Sequence, residues 1–148
     1  MGGHPYWYTV PYQESLQKAL DDLREREFKA GRYNPVVPFL NFEDPDFLNL
    51  HPGAKHKTIQ DALNASDADG TRSILDIERV SWQPDYGVAA MIPKEKLLEL
   101  FGTEKPNREM VFGNMVFFED VERGKCVYIV IYKNEEPHEI FFGGYSYD

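Results

Sequence analysis

The amino-acid sequence predicts an α+β fold, with one long N-terminal helix and two short helices packed on a mainly antiparallel sheet. Residues 12–32 have the apolar spacing of a helix. Beyond residue 109, apolar runs alternate with polar turns, as they do in antiparallel strands. A length of 148 residues suits a single globular domain over residues 1–148, with a substantial core.

The long helix is predicted from the spacing of its apolar residues. Leu16, Ala19, Leu20 and Leu23 fall at i, i+3, i+4 and i+7, which places them on one stripe of a helix. Gly31 is suited to end the helix, because glycine adopts the left-handed conformation of a helix terminus easily. This helix is therefore expected to pack its stripe on the sheet.

Glu27 interrupts the apolar stripe near the end of this helix. A carboxylate at that position must be paired, hydrated through a cleft, or carry a raised pKa. The favoured interpretation is that the stripe shifts toward Phe28 and Ala30, while Glu27 reaches solvent or meets an arginine. Two opposite-sign pairs one turn apart are predicted on this helix, Lys18 with Asp22 and Asp22 with Arg26.

The remaining elements follow from alternation, β-branched residues and turn residues. Six strands are predicted, at residues 4–10, 73–80, 88–92, 110–119, 126–133 and 138–145. The short helices are predicted at residues 58–65 and 94–101. Residues 126–133 are apolar on both faces, which indicates a central strand.

Residues 33–57 are predicted to form a long, ordered loop. They contain four prolines and no steady hydrophobic period. They also contain many large apolar residues, which a freely solvated linker would not carry. Long loops within compact domains are commonly functional. The loop is therefore expected to wrap the core and form one wall of a cleft.

Charge and cysteine content limit the partners and the compartment. The net charge is −9, which argues against nucleic acid and against an anionic membrane, because both require a basic face. A basic protein partner is compatible with this charge. Cys126 is the single cysteine, which excludes an internal disulfide and favours the cytoplasm. The chain has no signal-peptide pattern, and the sequence does not indicate an oligomeric state.

The common catalytic and cofactor motifs are absent from the sequence. It has no GxGxxG, Walker A, GxSxG, HExxH or CxxC pattern, so no cofactor and no metal is predicted. Asp67 and Asp69, before Gly70, are similar to part of a calcium loop. The first ligand position is then Ala65, however, so an Asx-rich turn is the preferred interpretation. The sequences of segments such as GRYNP and DADGTRSILDI resemble those of bacterial proteins, and this resemblance implies no function.

The first functional hypothesis is a non-catalytic binding protein that docks onto a basic protein, of the immunity or toxin-neutralising type. Its size, its acidity and the lack of catalytic motifs favour this hypothesis. Trp82 and Tyr86 flank a proline-containing turn. If the two side chains are exposed, they are typical anchors for a partner. If they are buried, they cover the core.

The second hypothesis is a small enzyme or small-ligand binder. Its cleft would lie between the long helix and residues 36–57, close to Tyr33. Glu27 would act there with a histidine and an arginine. The sequence offers the following partners for it: His51 or His56, and Arg32 or Arg72. Convergence of these side chains in one concave pocket would favour this second hypothesis.

Overall fold

The computed structural model describes residues 5–33, 47–66 and 73–146. Within these ranges five strands form one sheet, in the order β1-β5-β4-β3-β2. The strands are β1 (Pro5–Pro11), β2 (Arg79–Ser81), β3 (Val88–Met91), β4 (Cys126–Lys133) and β5 (Glu136–Tyr145). β1, β5 and β4 are antiparallel neighbours, whereas β2, β3 and β4 run parallel. The fold is α+β, as predicted, but the sheet is mixed.

The helices of the described chain comprise four α-helices and three 3₁₀ helices. The α-helices are α1 (Leu16–Ala30), α2 (Ile59–Asn64), α3 (Lys94–Phe101) and α4 (Arg108–Gly113). The 3₁₀ helices are Phe47–Asn49, Ile74–Asp76 and Met115–Asp120. α3 and β4 begin and end at the predicted residues. α4 and the 3₁₀ helices were not predicted.

The prediction of a mainly antiparallel sheet was wrong because residues 110–119 are helical and do not form a strand. They belong to the connection that carries the chain from β3 to β4. β3 and β4 are parallel neighbours, so the chain between them must return to the end of the sheet where β3 begins, whereas a strand at 110–119 would have produced a meander. Val111, Phe117 and Phe118 pack on the sheet and cover it. The alternation of apolar and polar residues alone did not distinguish such a covering helix from a paired strand.

The long helix is shorter than residues 12–32. Tyr12 donates its backbone N–H to the carbonyl of His138 (3.0 Å) and so continues the strand pairing. Ser15 caps α1, because its side chain accepts a hydrogen bond from the Lys18 backbone N–H (3.1 Å). At the other end Gly31, with φ 74°, adopts the left-handed conformation and ends the helix.

The segment 73–80, predicted as one strand, contains a 3₁₀ turn followed by the short strand β2. Ser73 begins the turn, because its hydroxyl accepts from the Leu75 backbone N–H (3.2 Å). Ile74, Leu75 and Ile77 are all fully buried. A half-buried strand would expose alternate residues, so this burial pattern belongs to a turn that is enclosed on several sides.

The sheet is covered on both faces, which gives three layers. α1 and the turn Ile74–Asp76 cover one face, where Leu20 and Leu23 pack against inward residues of the strands. α3, α4 and the 3₁₀ helix Met115–Asp120 cover the other face. Alternation along β4 separates the faces, since Tyr128 joins the first cluster and Ile129 joins the second.

The outer edge of β2 is covered by a side chain of α1. The Gln17 amide donates to the carbonyl of Glu78 (3.0 Å) and accepts from the backbone N–H of Val80 (2.9 Å). These two bonds resemble those that a further strand would make. An uncovered edge pairs readily with other chains, so Gln17 protects β2 from such pairing.

Two adjacent glycines in β5 allow close packing on both faces of the sheet. A Cβ atom on Gly143 would lie 2.6 Å from the ring of Phe118. A Cβ on Gly144 would lie 2.4 Å from the carbonyl oxygen of Lys125 and 3.0 Å from Cα of Cys126. The obstruction at Gly144 is backbone, which cannot rotate away as a side chain can.

We expect Gly144→Ala to lower the free energy of unfolding by about 1–3 kcal/mol or more, because the neighbouring strand must move. Gly113→Ala is the matched control, because a Cβ there meets nothing within 4 Å. That substitution should change the free energy of unfolding by about 0.5 kcal/mol or less. Urea unfolding monitored by tryptophan fluorescence measures both. Equal effects of the two substitutions would contradict the packing described at Gly144.

Candidate functional site at the carboxyl end of α1

A buried ion pair between Glu27 and Arg32 lies at the carboxyl end of α1. Their side chains are 0% and 2% exposed, respectively. Arg32 donates from Nε to Oε1 of Glu27 (2.8 Å) and from Nη2 to Oε2. Arg26 donates a third hydrogen bond, from Nε to Oε2 (2.8 Å). Glu27 therefore meets arginines and does not reach solvent, and Phe28 and Ala30 are buried beside it.

The turn after α1 brings Arg32 back over Glu27. Gly31 donates its N–H to the carbonyl of Phe28 (3.0 Å), and Arg32 donates its N–H to the carbonyl of Glu27 (3.1 Å). This pair of bonds is the Schellman arrangement, which requires a left-handed residue. The conformation of Gly31 thus sets the position from which the Arg32 guanidinium reaches Glu27.

Arg32 also binds residues 48–51, which belong to the later part of the predicted loop 33–57. Its Nη1 donates to the carbonyls of Leu48 and Leu50 (3.0 Å each) and lies 3.3 Å from Nδ1 of His51. Gly53 donates its N–H to the carbonyl of Ala30 (2.9 Å). One guanidinium therefore connects the helix end to residues 48–51.

Tyr33 connects the same turn to residues 55–56. Its hydroxyl oxygen accepts from the backbone N–H groups of Lys55 and His56 (3.2 Å each). Since the oxygen accepts twice, its own proton is directed to Nδ1 of His56, 2.9 Å away. The Tyr33 ring stacks on Phe28, with centroids 5.8 Å apart. Tyr33 and Phe28 belong to a small separate core with Ala62 of α2.

Burial and charge determine the ionisation of two groups around the pair. The pKa of Arg32 is raised above its ordinary value, because Glu27 accepts its hydrogen bonds and attracts its charge. The pKa of Tyr8 is also raised, first by burial and then by the negative charge of Glu27. The arginine is therefore held as a cation, and the phenol is held neutral.

The structure brings five of the residues singled out in the sequence to one end of α1. They are Glu27, Arg32, Tyr33, His51 and His56. A concavity of about 520 Å³ lies there, and the described residues that line it are Arg26, Lys29, Ala30, Arg32, Leu48 and His51. Glu27 is not among them, so its carboxylate is held behind the concavity by Arg26 and Arg32.

The other three singled-out residues do not lie at this end of the helix. Arg72 falls outside the described residues, as do most of the predicted loop 33–57 and the predicted Asx-rich turn. Trp82 and Tyr86 belong to the turn between β2 and β3. Their side chains are 78% and 56% exposed, so they do not form a lid on the core.

A second concavity, of about 440 Å³, adjoins this turn. The described residues that line it are Val80, Ser81, Trp82, Met91 and Tyr128. The ammonium group of Lys125 lies over the Tyr86 ring, 5.1 Å from its centroid. The turn thus presents an uncovered indole beside a recess in the surface.

Sequence reasoning missed the residues that complete the first site. Asp22 was predicted to pair with Lys18 and with Arg26. The pair with Lys18 is confirmed (2.8 Å), but Arg26 donates to Glu27 instead. The position of Arg26 directly before Glu27 was the available signal. Gly53 has a φ of 88° and lies in a proline-glycine turn. No local pattern in the sequence indicates that this turn approaches Gly31.

No family model, curated protein or solved structure matches this chain. Among the described residues, no group of three or more His, Cys, Asp or Glu side chains is arranged to hold a metal ion. None of the helices in the described part of the chain is both long enough and apolar enough to cross a membrane.

We expect Glu27→Gln to lower the free energy of unfolding by about 3–5 kcal/mol, because Arg32 would remain buried without its counter-charge. Glu25→Gln is the matched control on the same helix, since Glu25 is 50% exposed. The control should change the free energy of unfolding by about 0.5 kcal/mol or less. Urea unfolding at neutral pH measures the difference. Similar values for the two variants would refute a stabilising role of the buried pair.

Gly31→Ala should be more destabilising than Gly102→Ala, although both glycines end a helix at φ near +74°. The left-handed conformation costs an alanine about 1–2 kcal/mol at either position. At Gly31 the new Cβ would also lie 1.9 Å from the carbonyl oxygen of Gly53, whereas at Gly102 it meets nothing within 4 Å. Thermal unfolding of the two variants compares them. Equal losses of stability in the two variants would contradict the close approach of Gly31 to Gly53.

Proposed function

We propose that the protein is a non-catalytic protein-binding protein that docks a basic partner through the turn at residues 82–87. The observation that carries this proposal is the exposure of Trp82, whose side chain is 78% accessible. An uncovered indole is unfavourable in water, and tryptophan is enriched among the residues that dominate binding energy. A partner that buried Trp82 would gain its large apolar area.

The surroundings of Trp82 support its role as an anchor. The adjoining recess of about 440 Å³ has the size to accept side chains of a partner. Tyr86 lies in the same turn and adds a second exposed ring. Because Gln17 covers the edge of β2, the partner is expected to bind through side chains and not as an added strand.

Charge supports the choice of a basic partner. The whole chain carries a net charge of −9, which attracts a cationic protein over long range and accelerates its association. Near the turn Glu78 and Asp85 are exposed, but so is Arg79, and Lys125 lies over Tyr86. The attraction therefore comes from the charge of the whole chain and not from the turn itself. An immunity or toxin-neutralising role suits a small acidic protein of this kind. We place the protein in the cytoplasm as part of the proposal, because its single cysteine suits a reducing compartment.

The state of Glu27 supports a non-catalytic role over an enzymatic one. A general base must reach the proton that it abstracts. Glu27 is fully buried, and its two oxygens already accept three hydrogen bonds from Arg26 and Arg32. Its burial behind the concavity keeps the carboxylate out of contact with a ligand.

The proposal is tested by cross-linking the protein in its native host and identifying what co-purifies with the wild type, with Trp82→Ala and with Leu98→Ala. Leu98 is the matched control, because it is also an exposed apolar residue, at 49%. We expect a basic protein to be retained by the wild type and by Leu98→Ala. Trp82→Ala should weaken the binding of this basic protein by about thirtyfold or more, which is the loss typical of an interface anchor.

Isothermal titration with the purified partner then measures the affinity at low and high salt. Weaker binding at high salt is expected, because the attraction is partly electrostatic. A partner that binds Trp82→Ala as tightly as wild type would refute the proposed surface. Unchanged thermal unfolding of Trp82→Ala confirms that the substitution acts on binding and not on folding.

A further inference from the structure

The concavity at the carboxyl end of α1 gathers cationic side chains in a chain that is strongly acidic. Arg26, Lys29 and Arg32 line it, together with His51. Among the described residues, the carboxylates bonded to these groups are Glu27, which is buried, and Glu25, which lies 3.5 Å from Lys29. Three cationic side chains are thus gathered at one place in a chain whose net charge is −9.

Arg26 has hydrogen-bond donors to spare at this concavity. Its Nε binds Glu27 (2.8 Å). Within the described residues, its two terminal nitrogens make no hydrogen bond, and its side chain is 41% exposed. The planar guanidinium presents these donors in a fixed fork that matches a carboxylate or phosphate group. One edge of Arg26 is therefore held by Glu27, and its other end remains open to a ligand.

His51 is oriented by Arg32 so that it adds a further donor. Nη1 of Arg32 cannot accept a hydrogen bond, and its two hydrogens are already directed to the carbonyls of Leu48 and Leu50. A hydrogen on Nδ1 of His51, which lies 3.3 Å from Nη1, would therefore be repelled. The hydrogen of the neutral ring is then carried by Nε2. The residue is exposed at the rim of the concavity, where this N–H is available to an anion.

Backbone N–H groups satisfy several of the carbonyls at the end of α1. The carboxyl end of a helix carries partial negative charge on its free carbonyls. Here the carbonyls of Glu27, Phe28 and Ala30 all accept backbone N–H groups, from Arg32, Gly31 and Gly53. This pairing satisfies the carbonyls that would otherwise repel a bound anion.

We propose that this concavity binds the carboxylate or phosphate group of a small molecule, through Arg26, Lys29 and the Nε2–H of His51. Arg32 is already engaged by Glu27 and by the carbonyls of Leu48 and Leu50. It therefore positions His51 and does not contact the ligand. The site is independent of the turn at residues 82–87, so either proposal can fail without the other.

The test is a titration of the ¹⁵N-labelled protein with inorganic phosphate and, separately, with succinate, at constant ionic strength set by chloride. We expect amide shifts that saturate, confined to residues 26–32 and 48–53. Saturation with phosphate alone assigns a phosphate ligand, and saturation with succinate alone assigns a carboxylate ligand. Shifts that stay linear with both anions, or that spread over unrelated lysines, would overturn the proposal.

Variants distinguish the site from general attraction to positive charge. Arg26→Gln should weaken binding by about tenfold, since it removes charge-assisted hydrogen bonds. Lys29→Gln leaves the buried pair intact, because Lys29 is 73% exposed, and should weaken binding by about threefold. Lys18→Gln is the matched control: Lys18 is also paired one turn away on α1, and lies about 16 Å along the helix from Lys29. A loss in Lys18→Gln equal to that in Lys29→Gln would also overturn the proposal.

Discussion

The ion pair between Glu27 and Arg32 determines how the chain beyond α1 is arranged. A carboxylate and a guanidinium buried this completely are stable only when each satisfies the other and their remaining bonds are made. Arg32 meets this requirement by binding the carbonyls of Leu48 and Leu50 as well. The pair thus joins the helix to a segment that begins sixteen residues later. Tyr33 and His56 extend this connection toward α2.

The two proposed binding surfaces differ in their relation to this pair. The concavity at the helix end consists of side chains that the pair itself positions: Arg26 through Glu27, and His51 through Arg32. The turn at residues 82–87 follows β2, the edge strand whose backbone groups Gln17 binds. The concavity therefore depends on the buried ion pair, and the turn depends on the position of β2 in the sheet.

How much the sequence could predict follows from the range of the interactions involved. α3 and β4 were predicted correctly, because local spacing alone specifies them. The order of the strands in the sheet was not predicted correctly, because the apolar residues of the helical segment 108–120 have spacings that also fit a strand. Glu27 was recognised as unusual from its place in the apolar stripe. Its third partner, Arg26, and the contact between Gly31 and Gly53 depend on tertiary structure, which local pattern does not contain.

Hydrogen exchange tests most directly whether the buried pair holds residues 48–56 against α1. The backbone N–H groups of Gly53 and His56 are bonded to Ala30 and to the Tyr33 hydroxyl, respectively, whereas Ile129 lies in β4. In Glu27→Gln we expect Gly53 and His56 to lose most of their protection, while Ile129 keeps protection equal to the global stability of the variant. Equal changes at all three amides would contradict the account.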